Sequence, residues 1–260
     1  MSQVLDGRDT FVDVSGKSMH YVRLGTEFST TPLVFLHEGL GSVELWRGFP
    51  AEVATVTGHP VLVYSRYGNG WSDPLGEDRQ PDYMHVEALQ VLPRLIDRLV
   101  GAPPILLGHS DGASIALIYA GSGHPVAGMV LIAPHVFVES VTRDSIRSLR
   151  DGFLESDMPA RMSRYHVDEE KTFLGWADVW LSRAFQSWDI EEFLPGVTCP
   201  ALLIQGDVDE YGTVRQLDAI ERGLGGPSRR VLIEGAGHSP HLSHHDAVVD
   251  AIAVFVAGLD

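Results

Sequence analysis

The sequence predicts an α/β protein with a mostly parallel sheet that is covered by helices on both faces. Short apolar runs alternate with helical patterns along the first half of the chain, and the alternation resumes after residue 197. The strand-like runs are short and largely apolar, which is typical of strands buried in a parallel sheet. Apolar residues make up 44% and charged residues 21% of the 260 residues, which is ordinary globular usage.

The first elements are a hairpin and two buried strands. Phe11–Val14 and Met19–Leu24 lie on either side of Ser15-Gly16-Lys17, a pattern that indicates a β-hairpin. The apolar runs Leu33–Leu36 and Val61–Tyr64 follow, and each ends at a segment that is rich in glycine. We predict that both are strands.

A helix is predicted over Asp82–Val100 because leucine and isoleucine recur there at helical spacing. Its predicted buried face carries Leu89, Leu92, Ile96 and Leu99. Pro93 lies inside this helix, so we expect a kink at that position.

The remaining elements repeat the strand and helix alternation. The predicted strands are Pro104–Leu107, Met129–Ala133, Ala201–Gln205 and Arg230–Ile233. The predicted helices are Ala113–Ala120, Val214–Gly223 and Asp246–Val256. Between residues 136 and 197 no strand pattern occurs, and Phe173, Trp176 and Trp180 keep helical spacing. We therefore divide the chain into a core of residues 1–135 and 198–260 and an inserted helical cap of residues 136–197.

Gly108-His109-Ser110-Asp111-Gly112 is the strongest functional motif in the chain. It fits G-x-S-x-G, in which a serine lies on a very tight turn between a strand and a helix. The glycines two residues before and after the serine are required because Cβ atoms there would collide with the turn. The helix that follows directs free N–H groups and the positive end of its dipole at the serine. Ser110 is therefore the predicted nucleophile.

A serine hydroxyl becomes a good nucleophile only when a base takes its proton. The candidate base is His238, which follows the strand Arg230–Ile233, and the candidate acid is Asp209, which follows Ala201–Gln205. The chain order Ser110, Asp209, His238 is that of a hydrolase triad. Asp207 and Glu210 compete with Asp209, and the alternative role of Asp207 is to bind loop amides.

Two backbone N–H groups are expected to stabilise the oxyanion. One belongs to Asp111, the residue after the nucleophile, and the other comes from the loop after Leu33–Leu36, where Gly39 is the best candidate. Gly39 and Gly41 allow the backbone to approach a substrate closely.

These segments resemble the α/β-hydrolase superfamily, in its branch of capped single-domain enzymes. The resemblance rests on residues 37–41, on Arg66-Tyr67-Gly68-Asn69-Gly70-Trp71-Ser72, on the turn at Ser110 and on the Asp209 and His238 loops. It implies an eight-stranded, mostly parallel sheet with a helical lid between strands six and seven, and it implies no cofactor. One departure stands out, because such proteins usually carry glycine where this chain has Glu38. Glu38 either hydrogen-bonds a neighbouring loop or contacts water or substrate.

The aromatic side chains of the insertion are candidates for an apolar substrate pocket. A lid must present some apolar surface to the cleft below it, although cap aromatics often pack only against the core. The candidate pocket residues, with Glu38, are Phe137, Phe153, Trp176, Trp180 and Trp188.

Composition restricts the partners. The formal charge of −16 disfavours nucleic acid and anionic membranes, and the first ten residues show no apolar core of a signal peptide. Cys199, the only cysteine, is expected to be packed and unreactive. His241, His244 and His245 are expected to be solvated rather than metal ligands, and His37 and His109 to be structural hydrogen-bonding groups. We expect a cytoplasmic monomer or homodimer that binds a small molecule and no metal.

The sequence therefore predicts a serine hydrolase that cleaves a small carboxylic ester or a related acyl compound with an apolar or aromatic portion. The first alternative is hydrolysis of a carbon–carbon bond in a dienoic or 1,3-dicarbonyl acid by the same triad. That reaction usually needs a cation for the substrate carboxylate, and Arg66, Arg143 and Arg147 are the candidates. The second alternative is a ligand-binding protein without catalysis on the same fold.

Overall fold

The structure is a computed structural model, and it describes residues 10–25 and 30–259. The first ten residues, in which the sequence shows no signal-peptide pattern, therefore lie almost wholly outside the described residues. The eight strands are β1 Phe11–Val14, β2 Lys17–Leu24, β3 Leu33–Leu36, β4 Val61–Tyr64, β5 Ile105–His109, β6 Gly128–Ile132, β7 Ala201–Gly206 and β8 Ser228–Ile233. Every predicted strand is present, and no strand end moves by more than two residues.

The strands form one sheet in the order β1-β2-β4-β3-β5-β6-β7-β8. β1 pairs antiparallel with β2, and β2 pairs antiparallel with β4, whereas all the other neighbours are parallel. The mostly parallel sheet is therefore confirmed. β5, which carries the G-x-S-x-G turn at its end, lies near the middle of the sheet, where strands on both sides fix its position.

Helices cover both faces of this sheet. They are α1 Phe49–Thr57, α2 Tyr83–Val86, α3 Leu92–Leu99, α4 Asp111–Gly121, α5 Ser140–Gly152, α6 Met158–Met162, α7 Glu169–Leu181, α8 Arg215–Gly223, α9 Pro240–Ser243 and α10 His245–Val256. Alternate residues of β5 point to opposite faces, so Leu106 lies in one buried apolar cluster and Leu107 in the other. This two-sided burial explains why the strands carry no polar alternation.

The helix predicted over residues 82–100 is present but is interrupted by a π-helical turn, Glu87–Val91, between α2 and α3. Pro93 cannot donate a hydrogen bond to the carbonyl of Leu89, and a wider turn before Pro93 accommodates its ring. The extra residue in that turn rotates the helix face. Leu89 is consequently 39% exposed, and its predicted place on the buried face was wrong, whereas Leu92 is buried.

The segment between β6 and β7 is helical, as expected, and contains α5, α6 and α7. The side chain of Asp168 caps α7 by accepting a hydrogen bond from the Lys171 N–H at 2.9 Å. The last turn of the segment, the 3₁₀ helix Glu191–Gly196, packs against α4 so closely that a Cβ on Gly121 would overlap the Phe193 backbone. The carboxyl end of the predicted cap therefore lies on the core. None of the helices in the described ranges is long and apolar enough to cross a bilayer.

Candidate active site

Ser110 lies on a strained turn between β5 and α4. Its backbone has φ 52° and ψ −119°, a conformation that residues with a Cβ rarely adopt. A Cβ on Gly108 would lie 2.5 Å from the Ala113 nitrogen, and one on Gly112 would overlap the Leu36 carbonyl. The two glycines are thus fixed by sterics, but Gly112 makes room for β3 rather than for the turn itself.

His238 lies within hydrogen-bond distance of the serine. Its Nε2 is 2.9 Å from the Ser110 Oγ, and its Nδ1 is 2.9 Å and 3.0 Å from the two carboxylate oxygens of Asp209. Because a carboxylate can only accept, Nδ1 carries the proton and Nε2 presents a lone pair to the hydroxyl. This is the tautomer that a general base acting on Ser110 needs.

Asp209 is held as an ionised carboxylate. It accepts hydrogen bonds from the Tyr211 N–H at 2.8 Å, the Gly212 N–H at 3.2 Å and the Gln205 Nε2 at 3.2 Å. Burial by itself would raise the pKa of Asp209, but the hydrogen bonds from His238 and Tyr211 and the charge of His238 outweigh it and lower the pKa below the usual value. Of the three competing acids, only Asp209 contacts the imidazole.

The competing acids fix the loops instead. The Asp207 Oδ1 accepts a hydrogen bond from the Gly235 N–H at 2.7 Å. Asp207 therefore binds a loop amide, which is the alternative role that the sequence analysis gave it. The Glu210 Oε2 accepts one from the His238 N–H at 3.1 Å, and the His109 Nε2 donates to the His238 carbonyl at 2.9 Å. The backbone of His238 is therefore held on both sides.

The loop after β3 is oriented by hydrogen bonds to its carbonyl groups. Arg66 donates to the carbonyls of His37 at 2.7 Å and Glu38 at 2.9 Å, and Asn69 donates to those of Gly39 and Gly41 at 3.1 Å each. In a planar trans peptide the N–H points away from the carbonyl, so the Gly39 N–H is directed away from Arg66. Residues 66–72 are thus a structural support for this loop.

Asp111, the other predicted oxyanion donor, is anchored through its side chain. The Tyr83 hydroxyl donates to its carboxylate at 2.5 Å, and the guanidinium of Arg66 lies 3.8 Å away. The Trp180 Nε1 of α7 in turn donates to the Tyr83 hydroxyl at 3.1 Å. Burial raises the pKa of Asp111, and the charge of Arg66 opposes that shift. The same arginine therefore contacts both segments that carry the candidate N–H groups.

Glu38 lies beside His109, just before the turn at Ser110. Its carboxylate is 3.8 Å from the His109 Nδ1, and a Cβ on Gly41 would overlap it. Burial opposes ionisation, but the neighbouring His109 and His37 hold the pKa of Glu38 well below its usual range. This contact is made with the last residue of β5 and is too long for a hydrogen bond, so both predicted roles of Glu38 stay predictions.

The candidate pocket residues do not all meet at the triad. The Trp176 indole contacts Gly39, and the Trp180 ring lies 5.4 Å from the His135 ring. Trp188 stacks on Phe185 at 5.2 Å and lies 6.0 Å from Trp180.

Two of the predicted pocket residues are placed elsewhere. Phe153 is fully buried and stacks on Phe173 at 3.9 Å, so it packs the interior of the insertion. Phe137 packs under the guanidinium of Arg215 and lines a surface groove. The structure therefore corrects the prediction that these two rings face the pocket.

Sequence reasoning missed His135, which is 2% exposed and lies 5.5 Å from the His238 ring. Burial and the charge of His238 lower its pKa to about 3, so it is neutral beside His238. Its position three residues after β6, at the carboxyl edge of the sheet where functional side chains gather, could have identified it.

A groove of about 630 Å³ lies between residues 75–81 and the outer flank of α7. Its acidic lining residues are Asp78, Asp168, Glu170 and Asp178, and its basic ones are Arg79 and Lys171. Val179 and Leu174 supply the apolar part of the wall. The groove lies on the flank of α7 opposite Trp176 and Trp180.

The histidines predicted to be solvated differ among themselves. His241 is 3% exposed and packs against Trp46, so the prediction of a solvated side chain was wrong for it. His245 pairs with Glu52 at 2.7 Å. Among the described residues, no group of His, Cys, Asp and Glu could hold a metal ion. Burial raises the pKa of the Cys199 thiol to about 11, which makes it unreactive.

The sequence model of the alpha/beta hydrolase family matches residues 33–251 of this chain. A proline iminopeptidase of Lactobacillus crispatus is 30% identical over 130 residues, which are 50% of this chain and 43% of that protein. This match therefore spans less than half of the relative's length. A proline iminopeptidase of Saccharolobus solfataricus is 24% identical over an alignment that covers 94% of this chain and 90% of that protein.

Solved structures show the same fold. The esterase RhEst1 from Rhodococcus sp. ECU1013 superposes with a TM-score of 0.71 at 22% identity, and the alignment covers 96% of this chain and 98% of that one. At this identity the likeness describes the fold alone.

Proposed function

The chain belongs to the alpha/beta hydrolase family, and we propose that it is a serine hydrolase that cleaves a small carboxylic ester by way of an acyl-enzyme. The observation that carries the proposal is the geometry of Ser110, His238 and Asp209, with both imidazole nitrogens at 2.9 Å from their partners. A serine, a base and an orienting acid in hydrogen-bond series are the requirements for activated nucleophilic attack.

In the first half-reaction the Ser110 Oγ attacks the ester carbonyl carbon while the His238 Nε2 takes the hydroxyl proton. Asp209 stabilises the imidazolium that forms and keeps its orientation. The carbonyl oxygen becomes an oxyanion, which the N–H groups of Gly39 and Asp111 stabilise. His238 then gives its proton to the alcohol as the carbon–oxygen bond breaks.

In the second half-reaction a water molecule takes the place of the alcohol. His238 takes one proton from the water, the hydroxide adds to the acyl carbon, and collapse of the intermediate returns the proton to the Ser110 Oγ. The free carboxylic acid is released. All proton transfers are made by groups of this chain, so the proposal includes no cofactor.

We propose that the acyl or alcohol part of the substrate is apolar or aromatic. Trp176 and Trp180 lie one helical turn apart on α7. Trp176 contacts Gly39, and Trp180 donates to the Tyr83 hydroxyl, which in turn binds the Asp111 carboxylate. Residues 136 to about 190 would then act as the cap over Ser110, which is only 7% exposed. Movement of this segment would admit the substrate.

Carbon–carbon bond hydrolysis has less support. Both terminal nitrogens of Arg66 bind backbone carbonyls and the side chain is 2% exposed. Arg143 donates to the Leu181 carbonyl, and Arg147 pairs with Asp144 at 2.8 Å on the surface. None of the three candidate cations is thus placed to receive a substrate carboxylate at the triad.

A second candidate is release of an amino-terminal residue from a peptide. It is favoured by the alignment over 94% of the chain with a proline iminopeptidase.

The two functions separate in one assay. Purified protein is given 4-nitrophenyl acetate, butyrate and phenylacetate beside proline 4-nitroanilide. The ester proposal predicts turnover of the esters that is lost in Ser110→Ala and His238→Ala. Turnover of the anilide alone would contradict ester hydrolysis and favour release of an amino-terminal residue. Unchanged ester turnover in Ser110→Ala would refute the serine mechanism.

A further inference from the structure

The helix α7 and the loop after β3 are in direct contact at one point. The five-membered ring of the Trp176 indole lies on the Cα of Gly39, so that a methyl group at Gly39 would overlap the indole nitrogen. Gly39 is the residue whose N–H we propose as an oxyanion donor. The indole nitrogen is therefore close to the position of a bound acyl group.

The N–H of this indole is unused. Trp176 is 8% exposed, and its Nε1 has no hydrogen-bond partner in the described part of the chain. One turn later on α7, the Trp180 Nε1 donates to the Tyr83 hydroxyl at 3.1 Å. A buried donor without a partner costs free energy, which an acceptor atom of the substrate placed at this nitrogen would recover.

The position of this donor limits what it can bind. An indole N–H only donates, so its partner must be an acceptor such as an ether, ketone or hydroxyl oxygen. The alcohol oxygen of an ester has to reach the His238 Nε2 to be protonated, and it therefore lies on the other side of the carbonyl from Gly39. The acceptor that meets Trp176 then belongs to the acyl part.

We propose that the Trp176 indole N–H is a specificity-determining donor that binds an oxygen atom within two bonds of the carbonyl carbon on the acyl side of the substrate. The preferred substrates are then esters of 2-oxygenated acids, such as 2-alkoxy, 2-hydroxy or 2-oxo acids. This assignment rests on the proposed ester hydrolysis and narrows its substrate class.

The test compares two esters that differ by one atom. In 4-nitrophenyl methoxyacetate an ether oxygen takes the place of a methylene group of 4-nitrophenyl butyrate, and the leaving group is the same. The measured quantity is the ratio of kcat/KM for the methoxyacetate to that for the butyrate. Dividing the wild-type ratio by the variant ratio cancels the intrinsic reactivity of the two esters.

Trp176→Phe keeps a ring at the contact and removes the N–H. We expect the ratio to fall about tenfold in this variant, the size of one hydrogen bond from a buried donor. Trp46→Phe is the matched control, because its Nε1 is also buried without a partner but the ring stacks on Phe49, away from the proposed pocket. The ratio should be unchanged in the control. Trp176→Leu provides a second variant should the first fail to fold.

The outcomes separate this assignment from the proposed function. Turnover of both esters with equal ratios in the wild type and the Trp176 variants would overturn the donor role and leave the serine hydrolase in place. An equal loss of both activities would show that Trp176 only packs. No Ser110-dependent turnover of either ester by the wild type would refute the proposed function and this assignment with it.

Discussion

The strained backbone of Ser110 predicts that its replacement by alanine and its replacement by glycine differ in stability. Ser110→Ala and Ser110→Gly both remove the Oγ and its contact with the His238 Nε2 at 2.9 Å. They differ in the Cβ, which makes φ 52° with ψ −119° unfavourable. The difference in stability between the two variants therefore isolates the strain of the turn.

The expected magnitude follows from two opposing terms. A residue with a Cβ in such a conformation costs about 1–3 kcal/mol. Glycine loses more backbone entropy on folding, which costs about 0.5–1 kcal/mol relative to alanine. The net expectation is that Ser110→Gly is more stable than Ser110→Ala by about 1 kcal/mol.

The assay is equilibrium unfolding in urea, with the free energy of unfolding extrapolated to water for each variant. Ser148, an exposed residue in the middle of α5, supplies the matched control, because Ser148→Gly should be less stable there than Ser148→Ala by about 1 kcal/mol. If glycine were also the less stable replacement at Ser110, the turn would not be strained and the reasoning about the nucleophile would be wrong.

Three further predictions concern the acid, a buried histidine and the oxyanion loop. Asp209→Asn should lower kcat by about 10⁴-fold, because the imidazole loses the partner that fixes its tautomer, whereas Asp207→Asn, measured beside it in the same ester assay, should keep most of the activity. Burial lowers the pKa of His166 to about 4, and its Nδ1 accepts from the Gly70 N–H, so the unfolded chain binds the extra proton first as the pH falls. The stability that neutral His166 contributes is fully present above a pH of about 6.5, and about 2 kcal/mol of it is lost between pH 6.5 and 5. The free energy of unfolding of His166→Asn, measured in urea, should therefore fall less steeply over this pH range than that of the wild type. An equal slope in the variant and the wild type would contradict this. Gly39→Ala should lower kcat/KM by about 100- to 1000-fold, because its methyl group displaces the loop from the indole above it, and near wild-type kinetics would show that this contact does not exist.

The parts of the site that lie on tight local motifs could be predicted from the sequence. Ser110 is fixed by two glycines and a strand-to-helix turn, and both features are local in the chain. Asp209 and His238 follow strands that end at the same edge of a parallel sheet, so their meeting follows from the topology once the strands are recognised.

The parts that depend on distant contacts could not be predicted. Whether Phe153 faces the cleft or stacks on Phe173 is decided by how the helices of the insertion pack, which helical spacing does not specify. The role of Arg66 depends on carbonyls that lie 28 and 29 residues away. Leu89 was misplaced because a π-helical turn changes the period of the pattern itself.

The most direct test of the serine hydrolase is intact-mass analysis after treatment with a small fluorophosphonate, followed by peptide mapping. The account predicts a single adduct on Ser110, absent in Ser110→Ala and formed more slowly in His238→Ala, because the Nε2 lone pair activates the Oγ. An adduct on another residue, or equal rates in the wild type and His238→Ala, would contradict the claim that these two side chains act as nucleophile and base.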